Sequence, residues 1–151
     1  PAGDPNIVLV FHYYSPLLIT HYKAKWVQHV RDYTGPIQYP GLPIPDSARA
    51  ALSPEMRTLL EPYNLYFDID VMRKEIQPAI SRAEELNLPL WCNEFGVVAW
   101  TEKYIRKAWY RDFRTILEEN RIPWSNWDFR GSFGLFDAKN EPTDVVDAML
   151  S

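Results

Sequence analysis

The sequence predicts an α/β fold on parallel strands. Three observations carry this expectation. The chain opens on a dense β-branched run, "NIVLVFHYY" (Asn6–Tyr14), of the kind that is buried on both faces in a parallel sheet. Two later segments place apolar residues three and four apart, as a helix with one buried face requires. Strand-like and helix-like segments then alternate, and strands separated by helices pair in parallel through right-handed crossovers.

Each element has its own local reason. After the first strand comes a long connection, from Ser15 to about Phe67, which holds most of the prolines. That length is too great for a plain turn and marks a functional excursion. A short helix is expected within it at "SPEMRTLLE", with Ser53 as N-cap and Pro54 at the first helical position. "DIDVMRKEIQPAISRAEELN" (Asp68–Asn87) reads as a helix. Val71, Met72, Ile76, Ala79, Ile80, Ala83 and Leu86 share its apolar face, and Pro78 should kink it.

A second strand follows at "PLWCNEF", ending at Phe95. Thr101–Asn120 reads as another helix, burying Ile105, Trp109, Phe113, Ile116 and Leu117. Ile122–Phe129 is expected as a third strand, and Thr143 should cap a last short helix, "DVVDAML". Three strands are few for an open α/β sheet, and apolar edge strands are an aggregation hazard. The chain is therefore expected to be a minimal sheet or part of a larger one. It starts at Pro1 rather than Met, which points to an upstream piece.

Composition narrows the function. The 151 residues suffice for one domain with a core, and 46% hydrophobic against 24% charged is an ordinary globular balance. A net charge of −4 with no basic run leaves no footprint for a nucleic-acid backbone. No apolar run is long enough to span a membrane. Cys92 is the single cysteine, so no internal disulfide can form. Aromatic residues are abundant at 15%, and flat apolar rings suit either a core or sugar rings.

One residue stands out. In "LPLWCNEFGVVAW" (Leu88–Trp100) the single charge is Glu94, near the end of an apparent buried strand. A carboxylate among apolar neighbours needs a hydrogen-bonding partner. In βα-repeat folds chemistry collects where strands open into loops. His12 and Tyr14 end the first strand, Glu94 the second and Trp127 the third, so parallel strands would gather them on one side. His12 or Tyr14 could serve as the donor to Glu94. Taken singly, a strand-end Glu is more often solvated, a His satisfied within the structure and a Trp core; together they point to a site. The histidines His12, His21 and His29 are not at zinc spacing. No glycine-rich phosphate loop and no G-x-S-x-G elbow is present. Carboxylate chemistry flanked by aromatics remains, and this fits glycoside hydrolysis.

"NIVLVFHYYSP", "PLWCNEFGV" and "IPWSNWDFRGSFGLFD", in that order, resemble the C-terminal part of glycoside hydrolase family 5, the cellulase family A of the (β/α)8 glycosidases. "LLITHYKAKW" also resembles the segment after the family's H-x-Y motif. The resemblance implies the C-terminal segment of a TIM barrel, strands six to eight, completed by an N-terminal part as a second chain or removed segment. It makes residues 1–151 one part of a single catalytic domain.

By that resemblance Glu94 is the nucleophile of a retaining β-1,4-glucanase. By the same resemblance Tyr14 hydrogen-bonds Glu94, His12 contacts the sugar or the carboxylate network, and Trp127, with Trp26, contacts the sugar. Trp100 and Trp124 are lesser candidates for sugar contact or core. The implied partner is a β-glucan; no cofactor and no metal are expected, and a secreted or periplasmic location is implied. The alternatives are a β-mannanase or related β-glycosidase, or a non-catalytic carbohydrate-binding fragment. Two departures from the pattern matter. Asn93 stands where the family usually has Gly, and the acid/base Glu of the N-E-P motif belongs to strand four, outside this segment. "KNEPTD" does contain Asn140-Glu141-Pro142, but it has no strand before it; Glu141 is expected to be exposed near a helix N-terminus.

Overall fold

A computed structural model describes residues 2–150. In chain order the elements are β1 (Leu9–Tyr13), α1 (Leu17–Thr20), α2 (Asp46–Ala50), α3 (Pro54–Leu60), α4 (Ile69–Leu86), β2 (Leu90–Phe95), α5 (Lys103–Glu119) and α6 (Asp144–Leu150). β1 and β2 pair in parallel, with Leu9 opposite Leu90, Val10 opposite Trp91 and Phe11 opposite Cys92. The register then slips by one residue, so that His12 lies opposite Glu94 and Asn93 is the extra residue on β2. Such a bulge re-aims the side chains beyond it.

The expected third strand is present in direction but not as a ladder. Ile122–Phe129 meets β2 through a single parallel bridge between Trp124 and Cys92. Cys92 N donates to Pro123 O, Ser125 N to Cys92 O and Trp127 N to Phe95 O, at 3.0, 3.0 and 2.8 Å. Two local causes interrupt regular pairing. Pro123 has no N–H to give. The bulge at Asn93 leaves its carbonyl to the Ser125 hydroxyl, at 2.9 Å, instead of a backbone donor. The Trp127–Asp128 peptide is cis.

A second expectation is corrected at β1, which is buried on one face only. Phe11 and Tyr13 turn towards the helices; Val10, on the other face, is 52% exposed, and its cross-strand neighbour Trp91 is exposed beside it. The helix layer covers one face of β1 and β2. Between sheet and helices lies an aromatic core: Tyr13 stacks on Phe113 with ring centroids 4.4 Å apart, and Phe95 meets Phe113 edge-on at 5.0 Å.

The helices obey their local signals. The Asp68 side chain accepts from Asp70 N and Val71 N to cap α4, and Asn87 closes it in the left-handed conformation. α4 runs through Pro78 as one element and fully buries Met72, Ile76 and Ala83. Ser53 caps α3 through Met56 N, with Pro54 in the first turn. α5 buries the expected apolar face and, in addition, Arg106 and Tyr110. The Arg106 guanidinium is paired with the Asp144 carboxylate, which ties α5 to α6. Thr143 Oγ1 accepts from Val145 N, as a cap for α6 should, and donates to Gly134 O.

The long connection is packed rather than loose. Tyr22 and Tyr33 are buried within it, and each hydroxyl donates to a carbonyl of the same excursion. Tyr39 Oη donates to Asp112 on α5 at 2.7 Å.

Candidate active site

Parallel pairing brings the C-terminal ends of β1 and β2 together, and the residues there are those the sequence singles out. Tyr14 Oη donates to Glu94 Oε1 at 2.7 Å. His12 Nδ1 lies 3.5 Å from Glu94 Oε2. The Glu94 side chain is 24% exposed, so the carboxylate is sheltered yet reachable. The one-residue bulge places Glu94 beside His12; without it Asn93 would hold that position.

Tyr14 is a fixed donor. Burial, then the hydrogen bond to Glu94 and the negative charge there, push its phenol well above the ordinary range. The proton stays on Tyr14 at neutral pH, and the phenol can only donate to a carboxylate. Its backbone carbonyl accepts from the Thr20 hydroxyl at 2.6 Å. Its ring is met edge-on by His21 at 5.0 Å and Phe133 at 5.8 Å. Burial holds the His21 imidazole below its ordinary pKa.

The tryptophans divide. Trp127 is 48% exposed, one residue past Asn126, and is tied to β2 by its amide bond to Phe95 O. Trp26 and Trp100 are also exposed and meet edge-on at 5.9 Å. Trp26 meets His21 at 6.5 Å, so a line of rings runs from Trp26 through His21 to Tyr14. The Trp100 indole donates to Tyr22 O, which fixes it on the long connection. Trp124 is half-buried and packs edge-on against Phe95 at 6.0 Å, a core position. Glu141 is exposed in the loop before α6, where its amide and carbonyl bond to Asp137. Among the described residues, no three His, Cys, Asp or Glu side chains converge in a way that could hold a metal ion.

Three residues near the site carried no role at the level of the sequence. Phe133 and His21 flank Tyr14, and Tyr110 bonds to the backbone just beyond Glu94. His21 sits within "LLITHYKAKW", and Tyr110 comes directly after Trp109 on the buried helix, but spacing alone assigns neither a partner.

The sequence profile of the cellulases, glycosyl hydrolase family 5, matches residues 1–132. The chain belongs to this family. Endoglucanase C of Acetivibrio thermocellus is 31% identical over 140 residues, covering 92% of this chain and 41% of that protein. Endoglucanase 3 of Fibrobacter succinogenes is 24% identical over 149 residues, covering 91% of this chain and 22% of its own length. Endoglucanase Cel5A of the hyperthermophile Thermotoga maritima superposes with a TM-score of 0.72 at 21% identity, over 99% of this chain and 41% of that one. Structures of that Cel5A include complexes with cellobiose and with mannotriose.

The chain thus spans about two-fifths of the length of Endoglucanase C, which it matches at 31% identity. Its fold is part of a family 5 TIM barrel. In that setting the parallel pair, the helix layer on one face and the uncovered Val10 and Trp91 on the other describe a sector of a barrel wall.

Proposed function

We propose that this chain supplies the nucleophile and part of the sugar site of a retaining endo-β-1,4-glucanase, completed by an N-terminal barrel part. The observation that carries the reading is the Tyr14–Glu94 hydrogen bond at the paired strand ends. It keeps one carboxylate oxygen occupied and aimed while the group remains partly open to a substrate.

In the first step Glu94 attacks the anomeric carbon. A C–O bond to the carboxylate forms as the glycosidic C–O bond breaks, and the second carboxyl protonates the departing oxygen. In the second step that group takes a proton from water, whose oxygen displaces Glu94 and restores the original anomeric configuration. The second carboxyl must stand roughly 5–5.5 Å from the first. By resemblance it belongs to strand four, so the 151-residue chain alone does not turn over substrate. The N-terminal part joins either as a second chain or as the rest of a longer polypeptide. The exposed Val10 and Trp91 support this, since they offer the apolar surface that a barrel interior would cover. Trp127 serves as an apolar platform under the sugar beside the scissile bond, and Trp26 as a more distant contact.

A soluble β-1,4-glucan, assayed with the chain alone and with the complete barrel, tests the proposal. Turnover is expected from the complete barrel only, with retention seen in the NMR of the first-formed anomer and loss of turnover in Glu94→Gln. Inversion, full activity of Glu94→Gln, or activity of the chain alone that Glu141→Gln abolishes would each defeat it. A second reading, β-mannan as substrate, is favoured by the mannotriose complex of the Thermotoga Cel5A; a higher kcat/KM on mannan than on glucan would select it.

A further inference from the structure

The segments that carry Glu94 and Trp127 are tied together by a network centred on Tyr110 and Asn126. Trp127 has little ladder support: its amide bonds to Phe95 O, and the chain then turns away through residues 128–133. Backbone bonds from Gly134 N to Gly131 O and from Leu135 N to Asp128 O help hold that turn, and Asn126 adds side-chain bonds to it. Its Nδ2 donates to Asp128 O at 3.0 Å and to Phe133 O at 3.2 Å, closing the turn around Trp127. Its Oδ1 accepts from Tyr110 Oη at 2.9 Å.

Tyr110 completes the link. It is fully buried on α5, and its hydroxyl both donates to Asn126 and accepts from Val97 N at 3.1 Å. Val97 lies three residues after Glu94, and Asn126 directly precedes Trp127. One phenol on the helix layer therefore bridges the two segments, beside the direct bond from Trp127 N to Phe95 O. Gly96 leaves room for this: a Cβ there would stand 2.5 Å from Trp127 O and 3.2 Å from Tyr110 Oη. The circuit closes through Phe133, which accepts from Asn126 at its carbonyl and meets the Tyr14 ring edge-on, while Tyr14 holds Glu94.

The geometry points to Tyr110 and Asn126 as positioning residues that set where the Trp127 platform stands relative to the Glu94 carboxylate. This rests on the proposed roles of Glu94 and Trp127. A buried tyrosine needs some partner for its hydroxyl. Here both partners belong to the two site segments, and their loss would let the segments move apart. Removing the hydroxyl also strands Val97 N–H and Asn126 Oδ1, which favours rearrangement of the turn.

The test is a double-mutant cycle in the complete barrel, Tyr110→Phe against Trp127→Ala, read as kcat and KM on soluble β-glucan. Tyr110→Phe is expected to raise KM about five- to tenfold in the native background and less than about twofold when Trp127 is absent. An equal change in both backgrounds, or a lower melting temperature with KM unmoved, overturns the proposal by reducing the pair to a structural role. A second readout does not depend on turnover. In the 19F spectrum of the 5-fluorotryptophan-labelled barrel, Tyr110→Phe is expected to shift or broaden the Trp127 resonance, assigned by its loss in Trp127→Phe. The Trp26 and Trp100 resonances should hold still. A Trp127 resonance that does not move overturns the inference even if the protein proves active. Absence of any activity in the native barrel would instead count against the proposed function, with the fluorine spectrum still deciding this inference.

Discussion

Tyr14 and Glu94 are 80 residues apart in sequence and 2.7 Å apart in space, joined by a hydrogen bond from a phenol that burial and the carboxylate keep protonated. Parallel pairing of β1 and β2 makes this possible, and the bulge at Asn93 brings Glu94 level with His12.

Removing that donor should slow turnover without unfolding the barrel. A hydrogen bond to a charged group is worth about 1.5–3 kcal/mol, so Tyr14→Phe should lower kcat/KM by about 10- to 150-fold. Steady-state kinetics beside a thermal melt would check it. A change under threefold would mean that Glu94 does not depend on Tyr14.

Trp127→Ala should act on binding. The ring is about half exposed and anchored at its backbone, so truncation removes contact area for sugar and little of the core. Loss of an aromatic anchor of this kind costs about 2 kcal/mol or more in binding, a rise in KM or cello-oligosaccharide Kd of about 30-fold. Titration calorimetry with Glu94→Gln in the same barrel would measure the Kd without turnover.

The partly buried His21 makes stability depend on pH in one direction. Its pKa in the folded protein lies below its ordinary value of 6.5, because burial disfavours the charged ring. Well above pH 6.5 the ring is neutral in both states, and no stability difference arises. As pH falls below that value the unfolded chain takes up a proton that the folded chain refuses, and stability declines towards the lower folded pKa. The urea midpoint should therefore fall less steeply between about pH 7 and 5 for His21→Phe than for the native sequence. Parallel profiles would show that the ring is protonated alike in both states.

Asp144→Ala should destabilise strongly. Arg106 is 2% exposed, and removing its partner leaves a guanidinium buried and uncompensated, at a cost of about 3–5 kcal/mol. Arg106→Met combined with Asp144→Leu should recover most of the loss, since apolar side chains of similar volume can replace a buried pair. Denaturant melts of both variants would decide it; a single variant as stable as the native chain would show that α6 swings away instead.

Much of the site was legible because it depends on periods and ends. The apolar run of β1, the caps Ser53 and Thr143, and the apolar faces of α4 and α5 are local features, and the strand runs placed His12, Tyr14 and Glu94 at strand ends. Other features were not local. Periodicity marks Tyr110 and Arg106 as near a buried face but says nothing of their partners on other segments. Trp124 and Trp127 lie three residues apart in one strand-like run, yet one packs on Phe95 and the other stands open.

The sequence by itself determined the order of elements, the parallel direction of pairing and the family, since these arise from side-chain patterns and motifs along the chain. Only the tertiary structure decided that the third strand is held at spaced points, that β1 keeps one face open, and that a bulge at Asn93 sets Glu94 level with His12. The physical reason is register. A single extra residue at Asn93 re-aims Glu94 and Phe95 beyond it, and a proline and a serine hydroxyl replace ladder bonds beside it. How closely a donor approaches a carboxylate is settled by such shifts of a few ångströms between segments distant in sequence.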